Sequence, residues 1–261
     1  MMSSTGTKPS AGGQIRSGAW PAPAVNDEIC MQRRFLTGAA VLFFFCEGIA
    51  RAESPLAELL ANAAPTADRA VLTLAARAAE CAGLQGRAGA VEHLAVIDYS
   101  RPSSEPRLWV FDLEHGRLLF EELVAHGRGT GERFAERFSN IEGTHMSSLG
   151  LFRATEPYDG ANGYSLRLQG LEPGFNDRAF DRAIVMHGAP YVSRDLIRRQ
   201  GRIGRSWGCP AVRSAVARRM IDTLKHGALL FAYYPDGEWL EESSYLRCGS
   251  SPAVTPVARA R

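Results

Sequence analysis

The sequence predicts a mainly β fold with a few helices, and three observations carry that expectation. From residue 91 onward, short apolar runs of strand length recur, bounded by Gly, Asn and Asp turn residues. Two of these runs, 108–113 and 117–124, flank Glu114-His115-Gly116, a short loop whose glycine suits a positive φ, as a β-hairpin requires. One later stretch has clear helical periodicity: Val216, Met220, Ile221 and Leu224 form one apolar face, with Ser214 as its expected cap and Gly227 as its expected end.

Taken in chain order, residues 1–30 are rich in Gly, Ser and Pro and read as a disordered leader or a misassigned start, with Met31 as the alternative initiator. Residues 31–52 have the layout of a signal peptide: Arg33-Arg34, an apolar run to Cys46, then Ala50-Arg51-Ala52. Arg33-Arg34-Phe35-Leu36 resembles a twin-arginine export signal, although the general route fits as well. The apolar run is shorter than the roughly 20 residues that span a bilayer, and Glu47 interrupts it, so no stable membrane span is expected after cleavage.

Residues 53–90 are rich in Ala and Leu, broken at Pro65, and predict two short helices with Thr66 or Asp68 starting the second. A change to β-type composition places the start of the main domain, 91–247, near Val91. Within it further strands are expected at 151–155, 164–170, 183–187 and 228–234, with Asp159-Gly160 and Asn162-Gly163 as turns. The connection from 126 to 150 is too long to be a simple linker, and ordered loops of that length often carry function. Residues 248–261 read as a disordered tail.

Composition excludes more than it selects. A chain of 261 residues, 45% hydrophobic and 22% charged, can bury a full-sized core. A formal net charge of +2 with scattered basic residues lacks the concentrated positive surface of a nucleic-acid binder. No Cys-x-x-Cys or His-Glu-x-x-His spacing is present, so no metal site is expected. Oligomeric state is not legible.

Chemistry concentrates in two segments. Ile184-Val185-Met186-His187-Gly188 puts a histidine at the exit of an expected buried strand, and 201–212 is a glycine-rich loop presenting Cys209 after Ser206-Trp207-Gly208. A thiol attacks as thiolate, and its free pKa near 8.5 leaves little ionised at neutral pH without a base. His187 is the natural base and can return the proton to a departing amine. The N–H groups of Cys209, Gly208 and Trp207 are candidates for binding the tetrahedral oxyanion. Taken alone, Cys209 would be read as a small buried hydrophobe; the glycines around it and the upstream His-Gly pair favour the nucleophile. His126 is divided between substrate binding and a structural role, and His145 is expected at the surface.

Five cysteines are present, of which Cys30 and Cys46 would leave with the signal. Any one pair among Cys81, Cys209 and Cys248 is compatible with the sequence. If Cys209 is the nucleophile, the pair left is Cys81 with Cys248.

His187-Gly188 followed by Ser206-Trp207-Gly208-Cys209 resembles the signature of the murein L,D-transpeptidases, the YkuD-like cysteine transpeptidases: His, a spacer, then Ser-His-Gly-Cys. Trp207 stands where most of that family has a second histidine, which places the chain nearer a Ser-Trp-Gly-Cys-Pro-Ala branch. The likeness extends to Val124-Ala125-His126-Gly127-Arg128-Gly129, Ser147-Ser148-Leu149-Gly150 and Leu171-Glu172-Pro173-Gly174-Phe175-Asn176-Asp177, and covers roughly residues 91–235. The resemblance implies a β-sandwich catalytic domain acting on peptidoglycan stem peptides in the periplasm or cell envelope, with no cofactor. It implies Cys209 as nucleophile, His187 as base, the Gly188 carbonyl as a group that orients His187, and Ser206 as a shaper of the loop. Trp207 would wall the substrate groove. Arg205 and Arg213, on charge and proximity in sequence, would meet stem-peptide carboxylates. Transpeptidation, hydrolysis of the same acyl-enzyme, and non-catalytic binding of peptidoglycan remain three readings of this pattern.

Overall fold

The computed structural model describes residues 54–87, 89 and 91–248. The leader, the signal and the tail beyond Cys248 lie outside the described residues. Two helices open the described chain, α1 (Pro55–Ala63) and α2 (Arg69–Leu84). The Ser54 hydroxyl accepts the Ala57 N–H at 3.1 Å, and Pro55 takes the first helical position, where no N–H is needed. Asp68 caps α2 through the Ala70 N–H at 2.7 Å, in agreement with the cap expected there.

Nine strands follow: β1 (His93–Asp98), β2 (Leu108–Asp112), β3 (Arg117–Glu122), β4 (Val124–Ala125), β5 (Gly150–Gly160), β6 (Gly163–Gly170), β7 (Val185–Ala189), β8 (Ala211–Arg213) and β9 (Leu229–Tyr233). Between them lie α3 (Arg194–Gln200) and α4 (Ser214–Leu224), and α5 (Gly237–Glu242) comes last. The strands form one sheet in the order β3-β2-β1-β9-β5-β6-β7-β8-β4. Its two edge strands, β3 and β4, are separated in sequence by Leu123 alone. The sheet must therefore curl until its edges come together, which gives a barrel-like or sandwich-like body and leaves little open edge. Two contacts stitch the closure: Arg213 of β8 pairs with Glu122 of β3, and the buried Arg107 donates to the Val124 carbonyl of β4.

The hairpin read around Glu114-His115-Gly116 joins β2 to β3, and Gly116 has φ +63°. β5 runs farther than the expected 151–155. A register shift between Ala154 and Pro157 lets the strand pass the proline, and the turn to β6 falls at Ala161-Asn162 instead of Asp159-Gly160. α4 buries Ala217, Met220, Ile221 and Leu224. Ser214 is not its cap: Arg213 still pairs with Ala189 in the sheet, so the helix starts abruptly at Ser214 and the Arg213 side chain makes no cap bond. The helix ends at Leu224, short of Gly227, which turns the chain towards β9 at φ +110°.

α1 packs on β3, α2 on β1 and β9, and α4 on β7, β8, β6 and β1. Leu60, Leu72, Ala75 and Ala76 belong to the same core as Leu94, Val96, Trp109 and Phe231, so packing continues across residue 91, and the helical segment and the sheet share one interior. Cys81 of α2 is bonded to Cys248 across a Cα–Cα distance of 5.7 Å, which fixes the start of the stretch read as a tail. Cys209 is free. Among the described residues no helix is long and apolar enough to cross a membrane.

Candidate active site

The site is built on the parallel pair β7 and β8. His187 is in register with Ala211, so Cys209, two residues before Ala211, lies level with Val185. The Val185 N–H reaches the Cys209 Sγ at 3.5 Å. Residues two apart on a strand share a face, so His187 and Val185 look to the same side of β7. His187 and Cys209 line one open cavity of roughly 480 Å³, together with Arg182, Tyr191, Arg205 and Trp207. His187 sits in the middle of its strand, not at the exit, because β7 runs from Val185 to Ala189.

The loop before Cys209 is held by its own side chains. Ser206 Oγ donates to the Cys209 carbonyl at 2.6 Å and accepts the Gly208 N–H at 3.1 Å. Ser147 Oγ donates to the Gly208 carbonyl at 3.0 Å and accepts the Gly127 N–H at 3.0 Å, tying the long loop to the Cys209 loop. Gly208 has φ +124°, and a Cβ there would stand 2.8 Å from the Met146 carbonyl oxygen. This overturns one expectation: the Gly208 N–H is occupied by Ser206 and is not an oxyanion donor, so glycine is needed here for conformation and close approach.

The His187 ring is oriented as expected from Gly188. Nδ1 lies 3.0 Å from the Gly188 carbonyl, an acceptor only, so Nδ1 carries the proton and Nε2 is left as the basic nitrogen. Burial lowers the His187 pKa below 6.5, partly offset by that bond. Burial raises the Cys209 thiol above 9, opposed by the Val185 N–H, the Arg182 charge and its own N–H. At neutral pH the pair is thus thiol and neutral imidazole, the state from which a general base acts.

The L,D-transpeptidase catalytic domain model matches residues 63–233. The chain belongs to this family. Solved structures similar to it include an L,D-transpeptidase from Mycobacterium smegmatis, with 15% identity over 55% of this chain and 59% of that one and a TM-score of 0.35. Another is the helical cell shape determining protein Pgp2 from Campylobacter jejuni, with 10% identity over 61% of this chain and 55% of that one, TM-score 0.37. A third is an L,D-transpeptidase from Stackebrandtia nassauensis, with 11% identity over 69% and 76%, TM-score 0.36. The chain spans about half to three-fifths of the length of the first structures it matches. No curated protein matches it. The family match begins in α1, so it includes α2 as well as the sheet.

Within this L,D-transpeptidase domain the remaining expected site residues divide. Trp207 is 69% exposed at the cavity rim, where it packs against the His145 ring at 5.1 Å and under the Arg128 guanidinium at 5.5 Å. His145 is therefore part of the rim and half-buried, not a plain surface residue. Arg205 lines the cavity, but its Nη1 donates to Glu132 Oε1 at 2.6 Å and to the Gly131 carbonyl at 3.0 Å. Arg213 is a correction: its guanidinium bridges to Glu122 at the sheet closure, and it does not line the cavity.

For His126 the structure favours the structural of its two expected roles. It is fully buried, with Nδ1 2.8 Å from Arg107 Nη2, and burial together with that cation pushes its pKa down to about 3. A neutral imidazole sealed beside an arginine is a structural link, not a substrate contact. Sequence reasoning missed Arg182, Tyr191 and the bridging Ser147. Only Ser147 had a local signal, through the Ser147-Ser148-Leu149-Gly150 likeness. Among the described residues no three His, Cys, Asp or Glu side chains converge as a metal ion would require.

Proposed function

We propose that the chain is an exported cysteine acyltransferase acting on peptidoglycan stem peptides. The observation that carries this reading is the shared cavity of Cys209 and His187, with the imidazole tautomer set by Gly188 so that Nε2 is free to take a proton. His187 removes the thiol proton, and the sulfur attacks the carbonyl of the L-centre of diaminopimelate. The C–N bond to D-alanine breaks, His187 returns the proton to the departing amine, and a thioester remains on Cys209. The side-chain amine of a neighbouring stem then takes the acyl group and forms a 3–3 cross-link. Family membership supports the reaction class. Export is supported by the layout of residues 31–52 and by the Cys81–Cys248 disulfide, a bond that persists in oxidising compartments.

The test is to incubate residues 53–261 with purified tetrapeptide muropeptides and weigh the products, beside Cys209→Ala. Cross-linked dimers absent from the variant are the expected result. Tripeptide monomers in place of dimers would reassign the domain as an L,D-carboxypeptidase, and cleavage of added 3–3 dimers would make it an endopeptidase. Unchanged but bound muropeptides would make it a non-catalytic binder.

A further inference from the structure

We propose that Arg182 is the positioning residue that balances the charge of the Cys209 sulfur as it ionises, an inference that rests on the reading of Cys209 as nucleophile. Arg182 lines the Cys209 cavity, and the carbonyl of the next residue, Ala183, lies 3.7 Å from Sγ. Ala183 itself has φ +53°, a left-handed conformation that is tolerated outside glycine where the surroundings enforce it.

The guanidinium is fixed, and it is fixed by neutral groups. Nη1 donates to the Ser139 carbonyl at 2.7 Å and to Ser148 Oγ at 2.6 Å, and Nη2 donates to the Met146 carbonyl at 2.7 Å. A guanidinium has five N–H donors, so the Nε–H and one Nη2–H are not used by these bonds. Arg205, the other arginine lining the cavity, shares Glu132 with Arg202, and Arg128 at the rim lies over Trp207 and donates to His145 Nδ1. Arg182 forms no ion pair of this kind among the described residues. Burial lowers the Arg182 pKa, and ionisation of Cys209 would oppose that shift.

Every other titratable group facing Cys209 is unsuited to the task. Tyr99 and Tyr191 are both pushed up to about 12 by burial and stay neutral. His187 is neutral until it accepts the thiol proton, and Arg205 already holds Glu132. A half-buried, immobilised cation with unused donors favours a nearby anion over a neutral thiol. In the step proposed, the proton passes from Sγ to His187 Nε2, and the negative charge left on sulfur falls within the field of Arg182.

The experiment reads the pH dependence of Cys209 alkylation by iodoacetamide in the full chain with its disulfide intact, located by peptide mapping. Wild type is compared with Arg182→Gln, Arg182→Lys and Ser148→Ala. Arg182→Gln is expected to move the midpoint up by about one pH unit or more, making alkylation about tenfold slower near neutrality. Arg182→Lys keeps most of the wild-type profile, and Ser148→Ala, which loosens the same loop without touching the charge, leaves the midpoint in place. A midpoint unmoved in Arg182→Gln, or moved equally by Ser148→Ala, overturns the proposal. Should Arg182→Gln not fold, wild type alone decides: anionic iodoacetate should gain several-fold on neutral iodoacetamide at Cys209 relative to free cysteine, and no gain overturns it. Because no muropeptide is involved, a shifted midpoint with no turnover sinks the function and spares this inference, whereas Cys209-dependent turnover with an unshifted midpoint does the reverse.

Discussion

Cys81 and Cys209 are the same side chain in two neighbourhoods. Cys81 lies on a regular helix, 1% exposed among apolar residues, and is joined to Cys248 across 167 positions of sequence. Cys209 lies at the end of a glycine-rich loop, half-buried, free, and lines one cavity with a histidine of the strand it is level with. The first sulfur holds the last described residue to the body of the fold. The second is unpaired among the described residues and shares its cavity with an oriented imidazole and a fixed guanidinium. On the function proposed here, what separates the structural from the reactive sulfur is exposure together with the backbone that presents it and the groups it faces.

The comparison breaks most visibly if the two cysteines are exchanged in role. Cys209→Ala should reduce acyl transfer to background while leaving thermal stability nearly unchanged, measured by muropeptide mass spectrometry and calorimetry. Cys81→Ser should do the opposite, lowering stability by about 2–5 kcal/mol in denaturant titration while Cys209 still reacts below the melting point. Comparable loss of activity from both would remove the distinction.

His187→Gln keeps a polar side chain but no base, and a drop of roughly 10²–10⁴-fold in kcat/KM is expected. Gly208→Ala meets the Met146 carbonyl and an unfavourable φ together, so about 1–3 kcal/mol of stability should go, along with alignment of the thiol. Chemical denaturation and alkylation rates read the two effects separately. The smallest effect is in the pH profile. Burial holds the His187 pKa below its ordinary 6.5 and the Cys209 pKa above its ordinary 9. Rising pH deprotonates the imidazole first, so the acid limb of kcat/KM should be centred below pH 6.5. An acid limb centred above 6.5 would contradict a buried, neutral base.

The parts of this structure that were legible in the sequence are those whose cause is local. Pro55, Asp68 and the apolar spacing of 55–82 specify two helices, and Gly116 marks its hairpin, because caps and turns depend on neighbours within a few residues. The Cys209 loop was legible because glycine and serine at fixed offsets have a conformational purpose that can be read directly. β4 and β8, with two and three residues, carry no periodicity and exist only because the sheet closes on itself. His126 stays open between two roles in the sequence, and Arg213 is misplaced there, for the same reason. Their partners, Arg107 and Glu122, lie 19 and 91 residues away, and nothing near either residue says that it is already engaged. Arg182 escaped notice because its three anchors come from a loop 34 to 43 residues upstream.

The most direct measurement is an acid-quenched incubation with tetrapeptide muropeptide, followed by intact mass and peptide mapping of the protein. A tripeptide-containing thioester on Cys209 in the wild type, strongly diminished in His187→Gln, is the predicted result. An acyl group on any other residue, or equal acylation of Cys209 without the imidazole, would contradict the pairing of that sulfur with that base.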